Sequence, residues 1–241
     1  MPASRIERRR DAWRWSIWIG TAAALLGIVG AIVWFVGVPR YRPGLRPGEV
    51  YGIDVSRHQG AIDWETVARQ HIAAAYVKAT EGGDLVDDRF VRNWHDANAA
   101  GLHVGAYHFF TFCRPGAAQA ANVIRTVPKG GALPLAVDLE FGGNCAARPS
   151  EAEFRLELER FLSVVEERYG QRAVLYVEPA LAVRYRFIDS LSRRRWIPSS
   201  FRRPHDSWSV WQVSAFAKVR GVNGNVDLDV FRIGELSARS E

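Results

Sequence analysis

Leu135-Ala-Val-Asp-Leu-Glu140, then Ser150-Glu-Ala-Glu-Phe-Arg-Leu-Glu-Leu-Glu-Arg-Phe-Leu-Ser-Val-Val-Glu-Glu-Arg-Tyr169, then Ala173-Val-Leu-Tyr-Val177: these three segments decide the fold. The first and last are short apolar runs of the kind that form buried strands. The middle one opens with a capping box, Ser150 with Glu153, and then repeats Phe154, Leu158, Phe161, Leu162, Val165 and Tyr169 at helical spacing. Strand, helix, strand in this order is a crossover unit of a parallel sheet.

The same rhythm extends in both directions. Tyr51–Val55, Ala74–Lys78 and Val104–Phe110 read as further buried strands, and Trp64–Gln70, Asp88–Ala100 and Gly116–Val127 as the helices between them. Alternation of this kind leaves either a barrel or an open doubly wound sheet. Towards the C-terminus the pattern changes. Arg195–Ile197, Ser209–Gln212 and Val226–Val230 read as strands with no amphipathic helix between them, and Gly221-Val-Asn-Gly-Asn225 is turn chemistry. Antiparallel neighbours need only a turn, so the last strand is expected to run against the others.

In parallel β/α folds reactive side chains collect where strands end. The strand ends here are Asp54, Lys78 and Glu81, Tyr107 with His108, Asp138 and Glu140, Tyr176, and Trp211 with Gln212. A reversed last strand adds Asp227. Asp138 and Glu140 are two apart on a strand and therefore share a face, where like charges push one pKa up and leave a protonated acid beside an ionised partner. Glycoside hydrolysis needs that division of labour, and aromatic faces suit pyranose rings. A lone Asp-x-Glu more often caps a helix or meets an arginine; here four other polar strand ends converge with it. Lys78 is better read as the partner of Glu81 or Asp54 than as a Schiff-base lysine, and His58, His103 and His108 as hydrogen-bonded structural residues. Asp63, Asp87, Asp88 and Asp229 read as helix-start or solvated residues.

The chain has 241 residues and a formal charge of +6. Eight arginines before Pro47 stand against Glu7 and Asp11, which accounts for the whole excess and leaves residues 47–241 balanced. A nucleic-acid reader needs a basic footprint on its folded domain, so nucleic acid is excluded as a partner. Ser16–Val38 carries no charge over 23 residues, long enough for a bilayer core. Arginines precede it and Trp13, Trp15, Trp18 and Trp34 sit at or near its ends, where aromatic anchors belong, so an uncleaved signal-anchor with a cytoplasmic N-terminus is favoured over a cleaved signal peptide. The expected layout is a basic cytoplasmic segment over 1–15, a transmembrane helix over 16–38, a Pro/Arg-rich linker over 39–49, a catalytic domain over 50–235 and a tail over 236–241. Cys113 and Cys145 lie in the exported part, where a disulfide is favoured over two free thiols. No metal-ligand spacing and no cofactor motif is present.

Taken together, Tyr51-Gly-Ile-Asp-Val-Ser-Arg-His-Gln-Gly60 with Ile62-Asp-Trp64, Tyr76-Val-Lys-Ala-Thr-Glu-Gly82, Gly101-Leu-His-Val-Gly-Ala-Tyr-His-Phe109, Ala136-Val-Asp-Leu-Glu140, Val210-Trp-Gln-Val-Ser214 and Gly224-Asn-Val-Asp-Leu228 resemble glycoside hydrolase family 25. These are the N,O-diacetylmuramidases, or Chalaropsis-type lysozymes. The resemblance implies a modified TIM-like barrel of five β/α units plus three further strands. It implies cleavage of the β-1,4 bond between N-acetylmuramic acid and N-acetylglucosamine in peptidoglycan. By the family pattern Glu140 is the general acid, Asp138 supports a substrate-assisted step, Asp54 and Asp227 complete the acidic floor, and Tyr107, Tyr176 and Trp211 line the sugar groove. Tyr176-Val177 and Trp196-Ile-Pro-Ser-Ser-Phe201 depart from the usual Tyr-Thr and Trp-Ile-Ala-x-Tyr. The resulting expectation is a muramidase on the outer side of a bacterial inner membrane. Its rivals are a non-catalytic peptidoglycan-binding tether and a hydrolase of another polysaccharide.

Overall fold

The computed structural model describes residues 5–143 and 145–237. Part of the expected basic segment (1–4) and of the tail (238–241) lies outside the described residues. The chain divides into two units, Met1–Arg42 and Pro43–Glu241.

The first unit is a helix, α1 (Arg5–Ile32), continued by a π-helical turn at Val33–Gly37 and a 3-10 turn at Val38–Arg40. Pro39 lacks the N–H that a continuing helix requires, so the helix stops there. Trp18–Arg40 has a mean hydropathy of 2.3 in its most apolar window, none of it buried. This helix is long and apolar enough to cross a membrane.

The second unit is a closed barrel. Its strands are β1 (Glu49–Val55), β2 (Ile72–Glu81), β4 (His103–Phe109), β5 (Ala136–Leu139), β6 (Val174–Val177), β7 (Arg194–Pro198), β8 (Val210–Ala217) and β9 (Val226–Arg232), with a two-residue flap, β3 (Leu85–Val86), on the end of β2. Helices α2 (Trp64–Ala68), α3 (Phe90–Ala99), α4 (Gly116–Thr126), α5 (Glu151–Tyr169) and α6 (Pro179–Arg184) follow the first five barrel strands in turn, and β7, β8 and β9 complete the ring. This is the expected five units plus three strands. All barrel neighbours are parallel except the two that involve β9, which lies antiparallel between β8 and β1. The reversed last strand is thus present, and it puts Asp227 opposite Asp54.

Alternation along the strands sorts the apolar residues into two shells. Ala74, Tyr76, Tyr107, Ala136, Val174, Trp196, Val210 and Phe231 point inward and pack on one another with Leu133. Tyr76 stacks on Trp196 at 5.0 Å between ring centroids and meets Phe231 at 5.6 Å. The outward residues, including Ile53, Val77, Val137, Leu175, Trp211 and Val230, form the larger core under the helices. The interior shell is too full for side chains everywhere. A Cβ on Gly105 would lie 2.4 Å from Tyr76 Cε1, and one on Gly52 2.3 Å from Phe231 Cε2.

The chain enters the barrel at the floor, where the parallel strands begin. The Tyr51 hydroxyl donates to the Pro43 carbonyl, Arg203 donates to Gly44 O at 2.8 Å, and Arg203 also meets buried Glu49 at 2.6 Å. Pro43, Gly44 and Glu49, expected as linker, are therefore held against the barrel, with residues 45–48 exposed between them. Helix α6 and flap β3 are additional to the sequence expectation; six residues and two residues are too short to show periodicity.

Gly105→Ala forces a methyl against Tyr76 and Leu133. Overpacking of this kind costs about 1–3 kcal/mol, and thermal unfolding should show a midpoint several degrees below wild type; an unchanged midpoint would mean that the interior has slack.

Candidate active site

The polar strand ends meet in a cleft of about 580 Å³ at the mouth of the barrel. It is lined by Asp54, Lys78, Glu81, Tyr107, Asp138, Glu140, Tyr176, Gln212 and Asp227, nine of the ten expected site residues. Phe109, Trp196, Arg57 and His58 line it as well.

Trp211 is the exception. Alternation points Gln212 into the barrel and Trp211 out of it, where Trp211 is 1% exposed, packs on Trp208 and donates its indole N–H to Ser199 O at 2.8 Å. The indole at the cleft belongs to Trp196. Trp196 is two residues before Pro198, the last of β7, and shares the inward face with it. Asp229 is a second correction. It was read as a solvated or helix-start residue, yet it is fully buried on the inward face of β9, two residues from Asp227. Period-two spacing from Asp227 was the signal that marked it.

A hydrogen-bonded chain orders one wall. The Tyr176 hydroxyl donates to Gln212 Oε1 at 3.2 Å, Gln212 Nε2 donates to Asp54 Oδ2 at 3.2 Å, and Trp196 Nε1 donates to Asp229 Oδ1 at 2.9 Å. On the other wall Lys78 Nζ donates to Glu81 at 2.9 Å and lies 4.7 Å over the Phe109 ring. Of the two partners expected for Lys78, Glu81 and Asp54, the structure shows Glu81. Gly142 leaves room for the acid beside it: a Cβ there would come within 2.7 Å of Glu140 Oε1. His108 lies outside this network. Buried between Thr80 and Gln119, at 2.8 and 3.1 Å, its ring is pushed down to about 3 by burial and stays neutral.

Carboxyl groups outnumber cations at the bottom of the cleft, and their proton affinities follow. Burial first, then the charge of Glu140, pushes Asp138 well above the usual carboxylate range; its Oδ1 is buried with no hydrogen-bond partner. Burial, then Glu178, raises Glu140, while Lys78 pulls it back. Burial, then Asp227, raises both Asp54 and Asp229, and burial lifts Asp227 to about 6. Tyr107 and Tyr176 are raised by burial and by the aspartates, so both phenols stay protonated. The Asp138–Glu140 pair therefore retains a proton at a pH where isolated carboxyls are ionised. That is what acid catalysis at a strand end requires. Among the described residues, no group of His, Cys, Asp and Glu is arranged to hold a metal ion.

Cys113, in the loop after β4, and Cys145, in the loop after β5, form a disulfide with a Cα separation of 5.8 Å. It ties together two loops beside the cleft.

Comparison with known proteins agrees with this geometry. The family model described as glycosyl hydrolases family 25 matches residues 53–222. The protein YegX of Escherichia coli O6:H1 is 35% identical over 193 residues, covering 76% of this chain and 69% of that protein. Lysozyme M1 of Streptomyces globisporus is 30% identical over 244 residues, covering 88% and 79%. Among solved structures, a family 25 glycosyl hydrolase from Bacillus anthracis superimposes with a TM-score of 0.72 at 35% identity, over 80% of this chain and 93% of that one. A bacterial lysozyme from Streptomyces coelicolor gives 0.71 at 29% identity, over 78% and 97%.

A carboxyl whose pKa is higher folded than unfolded binds its proton more tightly in the folded chain. Its stabilising contribution is complete below the unfolded value and is lost as pH rises through the folded one. For Asp227 that window runs from 3.8 to about 6, and Asp54, Asp138 and Asp229 act in the same direction. Asp229→Asn keeps an acceptor for Trp196 and removes one ionisation. Its melting temperature should gain on that of wild type as pH rises from about 4 to about 7; a constant difference across that range would show that Asp229 holds no tight proton.

Proposed function

The chain belongs to glycosyl hydrolases family 25, and on that footing we propose that it is a membrane-anchored muramidase. The bond cleaved is the β-1,4 link between N-acetylmuramic acid and N-acetylglucosamine in peptidoglycan. The observation that carries this reading is the half-buried Asp138–Glu140 pair, held at a strand end in a cleft walled by Tyr107, Tyr176 and Trp196. The relative from Streptomyces globisporus bears the name lysozyme, which supports the substrate class.

In this reading bound sugar draws the proton that the Asp138–Glu140 pair retains onto Glu140, leaving Asp138 ionised, and Glu140 passes it to the glycosidic oxygen as the bond to the anomeric carbon breaks. Asp138 accepts a hydrogen bond from the N–H of the sugar's acetamido group. Its carbonyl oxygen closes on the anomeric carbon, and the carboxylate of Asp138 balances the positive charge that develops. Glu140, now ionised, takes a proton from water as that water opens the ring intermediate, and the acid is restored. Asp54 and Asp227 shape the floor beneath the sugar, with Gln212 fixing Asp54. Tyr176 and Trp196, edge to face at 5.2 Å, offer the aromatic surface. The apolar helix α1 would hold the enzyme in the inner membrane with its barrel on the extracytoplasmic side, where peptidoglycan lies.

Glu140→Gln should retain the fold and lower the release of reducing ends from peptidoglycan by at least ~100-fold, the scale of a lost general acid. Wild-type activity should fall at alkaline pH, as Glu140 loses its proton. Full activity in the Gln variant would remove Glu140 from the acid role, and glycan binding without cleavage by wild type would favour a tether. The full chain should stay with membranes through an alkaline carbonate wash; release into the supernatant would refute the anchor.

A further inference from the structure

The cleft does not end at the catalytic carboxylates. Glu81, on its rim, also lines a hollow of about 330 Å³ bounded by Leu85 and by the disulfide-bonded Cys113 and Cys145. Thr111 and Arg114 carry that hollow into a third, of about 540 Å³, whose wall includes Phe112, Pro149, Phe154 and Leu156. The three hollows follow one another along the mouth of the barrel, over the loops that the disulfide joins.

Charge along this trough is uneven. Arg148 lies at its far end. Its guanidinium donates to the carbonyls of Ala147, Phe141 and Cys145 at 2.8, 3.3 and 3.4 Å, and stacks 4.3 Å over the Phe141 ring. Carbonyls and a ring orient a guanidinium without neutralising it, and among the described residues no carboxylate pairs with Arg148. Among the described residues Arg114 pairs with Asp84 alone, at 3.2 Å, with the two side chains 55% and 74% exposed. An exposed pair of that kind holds its partners weakly. Of the acids on the same wall, Glu157 is paired with Arg160, while Glu153 is oriented by Ser150 and keeps its charge. Glu153 accepts from Ser150 N and Oγ at 2.8 and 2.6 Å, and Glu157 from Gly116 N and Arg160 at 2.7 and 2.6 Å. The trough therefore offers small apolar pockets and two available guanidiniums, one of them held in place before any ligand arrives.

We propose that this trough seats the short acidic peptide carried by the muramic acid residues of peptidoglycan, with Arg148 and Arg114 taking its carboxylates. The inference rests on the muramidase reading and sharpens it: the substrate is the peptide-bearing strand rather than bare glycan. Sugar rings occupy the acidic cleft and the peptide branches away from it past the disulfide. A peptide of small apolar side chains and free carboxylates matches the wall of Phe112, Pro149 and Leu156 and the two arginines beside it.

The test compares kcat/KM on peptidoglycan strands with kcat/KM on the same strands stripped of peptide by an amidase, using the full chain. Wild type should prefer the peptide-bearing strand by about tenfold or more, the scale of a charge-assisted contact. Arg148→Ala and Arg114→Ala should each cut that preference several-fold, chiefly through KM, with melting temperatures close to wild type. Asp84→Ala, which removes the competing partner of Arg114, should keep or raise it. A wild-type ratio near one, wild-type ratios in both arginine variants, or a fall in the Asp84 variant overturns the proposal. Failure of wild type to cleave either strand would instead refute the muramidase reading.

Discussion

Closure of the barrel by one reversed strand is the constraint on which the rest depends. Seven strands run the same way, and β9 fits between β8 and β1 in the opposite sense. Because β9 is reversed, its first residues rather than its last reach the mouth. Asp227 therefore faces Asp54 across a strand pair, and Asp229 falls one layer below it. A parallel strand in that place would carry Phe231 and Arg232 to the mouth and leave the floor of the cleft without its acids.

Layering then sets the electrostatics. Tyr76, Trp196 and Phe231 fill the interior beneath the cleft and keep water from it. Carboxyls placed directly on such a plug lose solvation, and mutual repulsion adds to that loss. Lys78, committed to Glu81, offsets only part of it. Protons retained on several of these acids are the natural result of the packing, and no special acidic partner is required for each. The interior aromatic plug is thus as much a part of the chemistry as the carboxyls that rest on it.

How far the sequence revealed this depends on the scale of the signal. Long amphipathic segments such as α5, with its Ser150–Glu153 capping box present in the structure, were legible because many residues repeat one rule. The reversed strand was legible from what is missing between Trp211 and Val226, namely any crossover helix. Trp211 and Trp196 show where the reading fails. Each is an indole near a strand end, and only the strand's register on the barrel says which looks inward. Asp229 failed for a related reason: an acid in an apolar strand reads as solvated until its neighbour two residues away is known to face the interior. Flap β3 and helix α6 are short and owe their shape to tertiary contacts, such as Asn122 donating to Gly82 O and Leu85 O at 3.1 and 2.9 Å.

The polypeptide joins the barrel at its floor, through Pro43 and Gly44, and the cleft opens at the other end. Entry and chemistry thus lie at opposite ends of one barrel. The contacts that fix the entry, Arg203 with Glu49 and with Gly44 O, are separated from the carboxyls by the interior layer of Tyr76, Trp196 and Phe231. A close-packed layer of that kind leaves each end with its own partners, so a change at the entry can alter stability without rearranging the acids.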